Sequence, residues 1–256
     1  MARVLYTDIN PVSIDWITYL VKEQLLPDGD AICADMIDFD YDYLDYYPQC
    51  HFFAGIGGWA KAMALAGVPT DWRVWTGSCP CQPFSNASPT QLGTADERHL
   101  WPHFKGAIEY GKPATVFGEQ VASELGRSWY STVRTELEVL GYETGAADLS
   151  AAGIGIPHSR PRIYFVAYAN GAGLEGLEQG WTCPTRSTQP ERTETYRSLL
   201  SSREQFDPST LPLLPYDGVS RRVAIDVLEG FGNSIVPELA ATFIESSFQA
   251  IKETRA

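Results

Sequence analysis

The sequence predicts an α/β protein, one open sheet with helices on both faces, plus a small irregular region late in the chain. Three observations predict it. Short β-prone runs at 4–8, 31–35, 51–53 and 74–76 alternate with segments of helical period. These runs close on an acid, a glycine-rich turn or a proline-bounded loop, and the carboxyl ends of strands are where open α/β sheets place their chemistry. At 256 residues the chain is long enough to bury one α/β core and one small appendage.

Composition narrows the class. With 44% hydrophobic and 20% charged residues the chain matches ordinary soluble globular proteins. No apolar run approaches a membrane span and residues 1–5 lead straight into a strand-like segment, so neither a transmembrane helix nor a signal peptide is expected, and a cytoplasmic location follows. The five cysteines are odd in number and irregular in spacing, which points to free thiols in a reducing compartment. Cys79 and Cys81 have no second Cys/His pair at zinc spacing, so no metal site is expected. The formal net charge of −13 disfavours phosphate binding, yet Arg3 and Lys22 against ten acids in residues 1–50 hold most of the excess. The remainder is mildly acidic, which leaves room for a local basic surface of modest, salt-sensitive affinity.

In chain order, a first strand at 4–8 ends on Asp8. Pro11 then opens a helix whose apolar face is read as Ile14, Ile17, Tyr19, Leu20 and Val21. Asp28-Gly29 marks a turn, and a second strand at 31–35 ends on Asp35. Residues 38–47 alternate acids with aromatics and read as a solvated connection whose tyrosines cover apolar surface. A third strand from His51 runs into Phe53-Ala54-Gly55-Ile56-Gly57-Gly58, followed by a helix over 60–66; such a turn lets a backbone approach a ligand at a helix N-terminus. A helix through Tyr110, a strand at 115–121 carrying Glu119, a helix over 129–140, strands at 142–149 and 163–167, and a closing helix from Pro237 to 251 complete the reading.

The stretch Ser78-Cys79-Pro80-Cys81-Gln82-Pro83-Phe84-Ser85 follows the 74–76 strand. Pro80 fixes its own φ and Pro83 restrains Gln82, so the Cys81 thiol is presented from a stiff loop at a strand end. Pro80-Cys81-Gln82 resembles the nucleophile motif of the cytosine-C5 DNA methyltransferases. Four further pieces accompany it in that family's order: upstream, the glycine turn at 53–58 resembles its S-adenosylmethionine loop, and downstream Glu119-Gln120-Val121 resembles its Glu-Asn-Val motif, Arg160-Pro161-Arg162 its arginine pair, and Gly232-Asn233-Ser234-Ile235-Val236-Pro237 its last motif. Three positions depart from the pattern: His51 stands where an acid is common, Gln120 replaces Asn and His158 replaces Gln.

The resemblance implies a Rossmann-like class I methyltransferase sheet and methyl transfer from S-adenosyl-L-methionine to C5 of cytosine in double-stranded DNA. Cytosine C5 is too weak a nucleophile to take a methyl group unaided, so a thiolate from Cys81 adds to C6, C5 gains enamine character, and loss of the C5 proton with expulsion of the thiol restores the ring. Glu119 then counters charge at N3, with Arg162 holding the base's O2 and orienting the carboxyl group and Arg160 beside it in the catalytic arginine pair, and the base must be flipped out. Phe53 to Gly58, Pro80, Asn233 and Ser234 are assigned to the cofactor. Only 23 residues separate Gly58 from Cys81, too few for the two acid-bearing strands that the family places there. A circularly permuted order is therefore inferred, with Asp8 on the ribose hydroxyls and Asp35 on the adenine amino group.

The expected division is a catalytic domain at 1–168, a target-recognition region at 169–217 and a return to the catalytic domain at 218–256, acting as a monomer. Arg186, Arg192, Arg197 and Arg203 are offset by acids in the small middle region, so a short or degenerate DNA target is expected. The compact, permuted form resembles methyltransferases carried by bacteriophages and prophages, and a restriction-modification role is the expectation that goes with the family. Two other readings stay open: a C5-methyltransferase of structured RNA, and a relative that binds DNA or cofactor without catalysis.

Overall fold

Residues 4–6 are apolar on both faces, which a strand tolerates only when both faces are covered. In the computed structural model, which describes residues 3–80, 100–154, 160–169 and 234–255, that strand lies inside a seven-stranded sheet. The strands are β1 (Val4–Asp8), β2 (Gly29–Cys33), β3 (Gln49–Phe52), β4 (Val74–Gly77), β5 (Thr115–Val121), β6 (Tyr142–Leu149) and β7 (Arg162–Ala169). Their order is β2-β1-β3-β4-β5-β7-β6. The first five run parallel, and β7 is antiparallel to both its neighbours β5 and β6. The helices are α1 (Pro11–Lys22), α2 (Gly58–Leu65), α3 (Trp101–Gly111), α4 (Glu124–Val139) and α5 (Pro237–Arg255).

The period-2 alternation of the strands feeds two main cores. On one face, Phe117 and Tyr164 meet Trp59 and Met63 of α2 and Phe243, Ile244 and Phe248 of α5. On the other, Leu5, Phe52, Trp75, Val116 and Phe165 meet Trp101 and Phe104 of α3 and Trp129 and Val133 of α4. Beside the first core, Val4 and Tyr6 pack with Ile17 of α1, Leu26 and Ala60. Helix α5 packs against α2 and runs past the expected end at 251 to Arg255.

Several expected details shift. Asn10 caps α1, its side chain accepting the Val12 N–H at 2.9 Å, and Pro11 needs no donor there. Ile14 and Ile17 are buried, but Tyr19 points outward and stacks on Trp16 with ring centroids 5.6 Å apart. At 100° per residue Tyr19 lies about 200° from Ile17, so it could not share that face. The second strand spans Gly29–Cys33 and ends two residues before Asp35, because Gly29 and not Ala31 pairs with Val4. In the acid-aromatic connection a 3-10 helix forms over Tyr41–Tyr46 with Leu44 buried. Tyr41 donates to the His103 carbonyl, whereas Tyr43 and Tyr46 face solvent. Helix α4 begins five residues earlier than expected, at Glu124, because Ser123 caps it by accepting the Gly126 N–H at 3.0 Å.

His51 sits in the middle of the sheet, stacked on Tyr6 at 5.4 Å, with Nδ1 2.8 Å from Thr76 Oγ1 and Nε2 buried without a partner. Burial pushes its pKa down to about 3, so the ring stays neutral in the fold. The unfolded chain protonates His51 below its ordinary value of about 6.5. Its contribution to stability is therefore complete above that pH and is lost as pH falls toward 3. His51→Gln should flatten the fall of unfolding free energy between pH 6 and 4 by about 1.4 kcal/mol per pH unit, measured by urea denaturation at each pH. Equal slopes in the two proteins would contradict this.

Candidate active site

The carboxyl ends of β1, β3, β4 and β5 open on one side of the sheet, and the start of the antiparallel β7 comes to the same side. A cleft of about 350 Å³ lies there. It is lined from β1 by Asp8, from the turn after β3 by Phe53, Ala54, Gly55 and Gly58, and from beyond β4 by Ser78, Cys79 and Pro80. Glu119 of β5, Arg160 and Arg162 at β7, and Ser234 before α5 close it. Ten of the residues singled out in the sequence therefore share one cavity.

The turn after β3 is shaped by local constraints. Gly57 caps α2 at φ +85°, a conformation that a side chain strains, and a Cβ there would lie 2.6 Å from Leu26 Cδ1. Gly58 is small for a different reason: the Ser234-Ile235 segment passes so close that a Cβ would come within 2.9 Å of Ser234 Oγ and Ile235 Cγ1. The Asp8 carboxylate fastens the turn from below. Oδ2 accepts the Gly55 N–H at 2.8 Å and Oδ1 accepts the Asn10 N–H at 2.9 Å. Each oxygen keeps acceptor capacity for a ligand hydroxyl. A Cβ on Gly55 would meet nothing within 4 Å, so the turn has open space above it.

At the other end, Glu119 is buried and Arg162 Nε lies 2.7 Å from its Oε1. The register of β5 against β7 brings them together, since Val121 pairs with Arg162 and Glu119 with Tyr164. Burial raises the Glu119 pKa, and the opposing pull of Arg162 and Arg160 does not cancel it. The carboxyl group is thus biased toward holding a proton in a cleft that also holds cations. Tyr164 is likewise pushed up, by burial and by Glu119. Cys79 is buried and burial drives its thiol well above the ordinary range, so it remains a neutral thiol.

The other expected residues divide. Ile56 and Gly57 line an adjoining, more apolar cleft of about 450 Å³ with Leu20, Leu26 and Val236. Asp35 lines neither cleft; its Oδ1 accepts the Ile37 N–H at 3.0 Å in a turn beyond β2. Cys81, Asn233 and His158 lie outside the described residues. Sequence reasoning missed Asn10, Ser13, Trp59 and Ser78, which also line the cleft. Asn10 had a legible signal as a cap before Pro11, while the others reach the cavity through the way the elements pack. Among the described residues no group of His, Cys, Asp and Glu could hold a metal ion, and no helix is long and apolar enough to cross a membrane.

Comparisons with known proteins bear on this cleft. Type II methyltransferase M.AplI of Arthrospira platensis is 35% identical over 94 residues, which are 36% of this chain and 27% of that protein. M.NlaX of Neisseria lactamica is 28% identical over 145 residues, 55% of this chain and 46% of that one. The matched stretches thus span less than half of these relatives' lengths. Among solved structures, the Entamoeba histolytica methyltransferase EhMeth gives a TM-score of 0.43 at 20% identity, over 64% of this chain and 44% of that one. A putative DNA modification methyltransferase from an Escherichia coli prophage gives 0.41 at 16% identity, over 70% and 42%. The C-5 cytosine-specific DNA methylase model matches residues 67–211, more than half of the chain and including the Cys81, Glu119, Arg160 and Arg162 positions, so the chain belongs to the C-5 cytosine-specific DNA methylase family.

Proposed function

We propose that this protein transfers the methyl group of S-adenosylmethionine to C5 of cytosine in DNA, through an adduct between Cys81 and C6 of a flipped base. The buried Glu119–Arg162 pair, in the same cleft as the glycine turn, carries the reading. An acid biased toward its protonated form can donate at N3 of cytosine as charge builds on the ring, and the adjacent guanidinium holds both the carboxyl group and the base's O2. The cofactor fits the other half. The Gly55 turn leaves space above it, Asp8 offers a carboxylate suited to a ribose diol, and Ser234 closes over Gly58. S-adenosylmethionine supplies the electrophilic methyl group; the chain's own residues hold the base, manage its charge and keep water out.

The permuted order is part of the same proposal. Strand β1, which carries Asp8, lies beside β3 and its glycine turn although it precedes both in the chain, and the family match begins at residue 67, downstream of that turn. Residues 169–217 serve as a small target-recognition region in this scheme, reading about two to four base pairs. The test is methyl transfer from labelled S-adenosylmethionine to duplex DNA and to tRNA in parallel, with bisulfite sequencing of the DNA product. C5 methylation of the duplex supports the reading. Transfer to tRNA alone would replace it with an RNA activity, and transfer to neither would leave a binding relative.

Glu119→Gln keeps a neutral hydrogen-bonding group but cannot pass a proton, so kcat on duplex DNA should fall about 10²–10³-fold. The wild-type rate should also decline on the alkaline side as the raised pKa of Glu119 is crossed and the donor proton is lost, whereas the variant should lack that limb. A variant rate within about tenfold of wild type would remove Glu119 from the chemistry.

A further inference from the structure

Trp59 touches three parts of the cleft at once. It is the second residue of α2, directly after the glycine turn, and it is buried. Its ring lies 6.3 Å from Phe117 of β5 and meets Tyr164 of β7 edge-on at 6.1 Å; Tyr164 stands opposite Glu119 in the ladder. Its indole Nε1 donates to Ser78 Oγ at 2.9 Å. Ser78 is the first residue past β4, whose pairing with β5 ends at Gly77, and it precedes Cys81 by three positions. Between them stands Pro80, which has no N–H to anchor the backbone. The chain toward Cys81 leaves the sheet at Ser78, and a side-chain donor clamped in the core meets it at that residue.

We infer that Trp59 is a positioning residue, which through Ser78 couples the glycine turn that receives the cofactor to the loop that carries the nucleophile. This deepens the methyl-transfer reading and rests on it. Phe117 and Tyr164 restrain the indole ring, so its N–H is a donor of fixed direction, and the Ser78 hydroxyl is held relative to Glu119 as well as to the turn. A shift in either partner is transmitted to the start of the Cys81 loop.

The experiment uses the full chain with Ser78→Ala, which removes the acceptor at little cost in volume, Ser78→Thr, which keeps a hydroxyl, and Trp59→Phe, alone and with Ser78→Ala. For Ser78→Ala, kcat should drop about tenfold or more with KM for S-adenosylmethionine within about twofold. Ser78→Thr should restore most of the rate, and the Trp59→Phe/Ser78→Ala double variant should be no slower than Trp59→Phe, because both remove one bond. A second readout does not need turnover: the pH profile of Cys81 alkylation by iodoacetamide, followed by peptide mass spectrometry with the exposed Cys33 as internal reference. In Ser78→Ala the Cys81 rate at fixed pH should change about threefold or more while Cys33 does not. A shifted alkylation profile in a protein that transfers no methyl group would sink the proposed activity and keep the coupling. An unchanged alkylation profile together with wild-type kcat in Ser78→Ala would overturn the coupling itself.

Discussion

Cys81→Ala should show no detectable methyl transfer to duplex DNA while binding S-adenosylmethionine within about twofold of wild type, since the thiol is assigned to the base and not to the adenosine. The contrast with Cys79 makes the expectation specific. Cys79, two residues earlier in the chain, lines the cleft, but it is buried and its thiol is driven up, so almost none of it is thiolate near neutral pH. Cys50 is buried with its thiol raised in the same way, and the exposed Cys33 lines neither cleft. Cys79→Ala should therefore cost some core packing and retain activity. A duplex carrying 5-fluorocytosine sharpens the test. The wild type should add to C6 and accept the methyl group at C5, then stall because fluorine cannot leave as a proton, and peptide mass spectrometry should place the adduct on Cys81. An adduct on Cys79 would overturn the assignment.

How much of this was legible in the sequence depends on whether local signals agreed with tertiary ones. Strands β1, β5 and β6 form over the expected residues, β4 and β7 extend one or two residues beyond theirs, and β3 starts two residues early and ends at Phe52. The glycine turn, Glu119, Arg160, Arg162 and Ser234 each carry a motif, and they meet in one cleft because strand ends converge on one side of an open sheet. The start of α4 was missed because Gly126 in its first turn weakens the helical pattern, although the Ser123 cap compensates. Asp35 was assigned from its place near a strand end. The register shift of β2 toward Gly29 leaves it in a turn that uses its carboxylate locally. The pairing of Trp59 with Ser78 carries no local signal, since a bond between residues 19 positions apart exists only in the folded chain.

Deleting residues 1–45 should abolish folding, and the magnitude decides it. The deletion removes β1 and β2, and β1 lies between β2 and β3 with Val4, Leu5 and Tyr6 fully buried. Ile14, Ile17, Leu26 and Leu44 leave with them. Fully burying an apolar side chain contributes about 1.5–3 kcal/mol, so seven such losses reach about 10–20 kcal/mol, at or beyond the roughly 5–15 kcal/mol that holds a domain folded. The hydrogen-bonding edge of β3 would also be stripped of its partner, an open template for aggregation. The glycine turn would lose the Asp8 carboxylate that accepts its Gly55 N–H, so even a partly folded remnant should not bind S-adenosylmethionine. Far-UV circular dichroism and urea melts of the truncated chain, with calorimetric titration of the cofactor, would measure both consequences. A truncated protein that unfolds cooperatively and binds cofactor would show that β1 and β2 are dispensable additions, and the permuted order would fall with it.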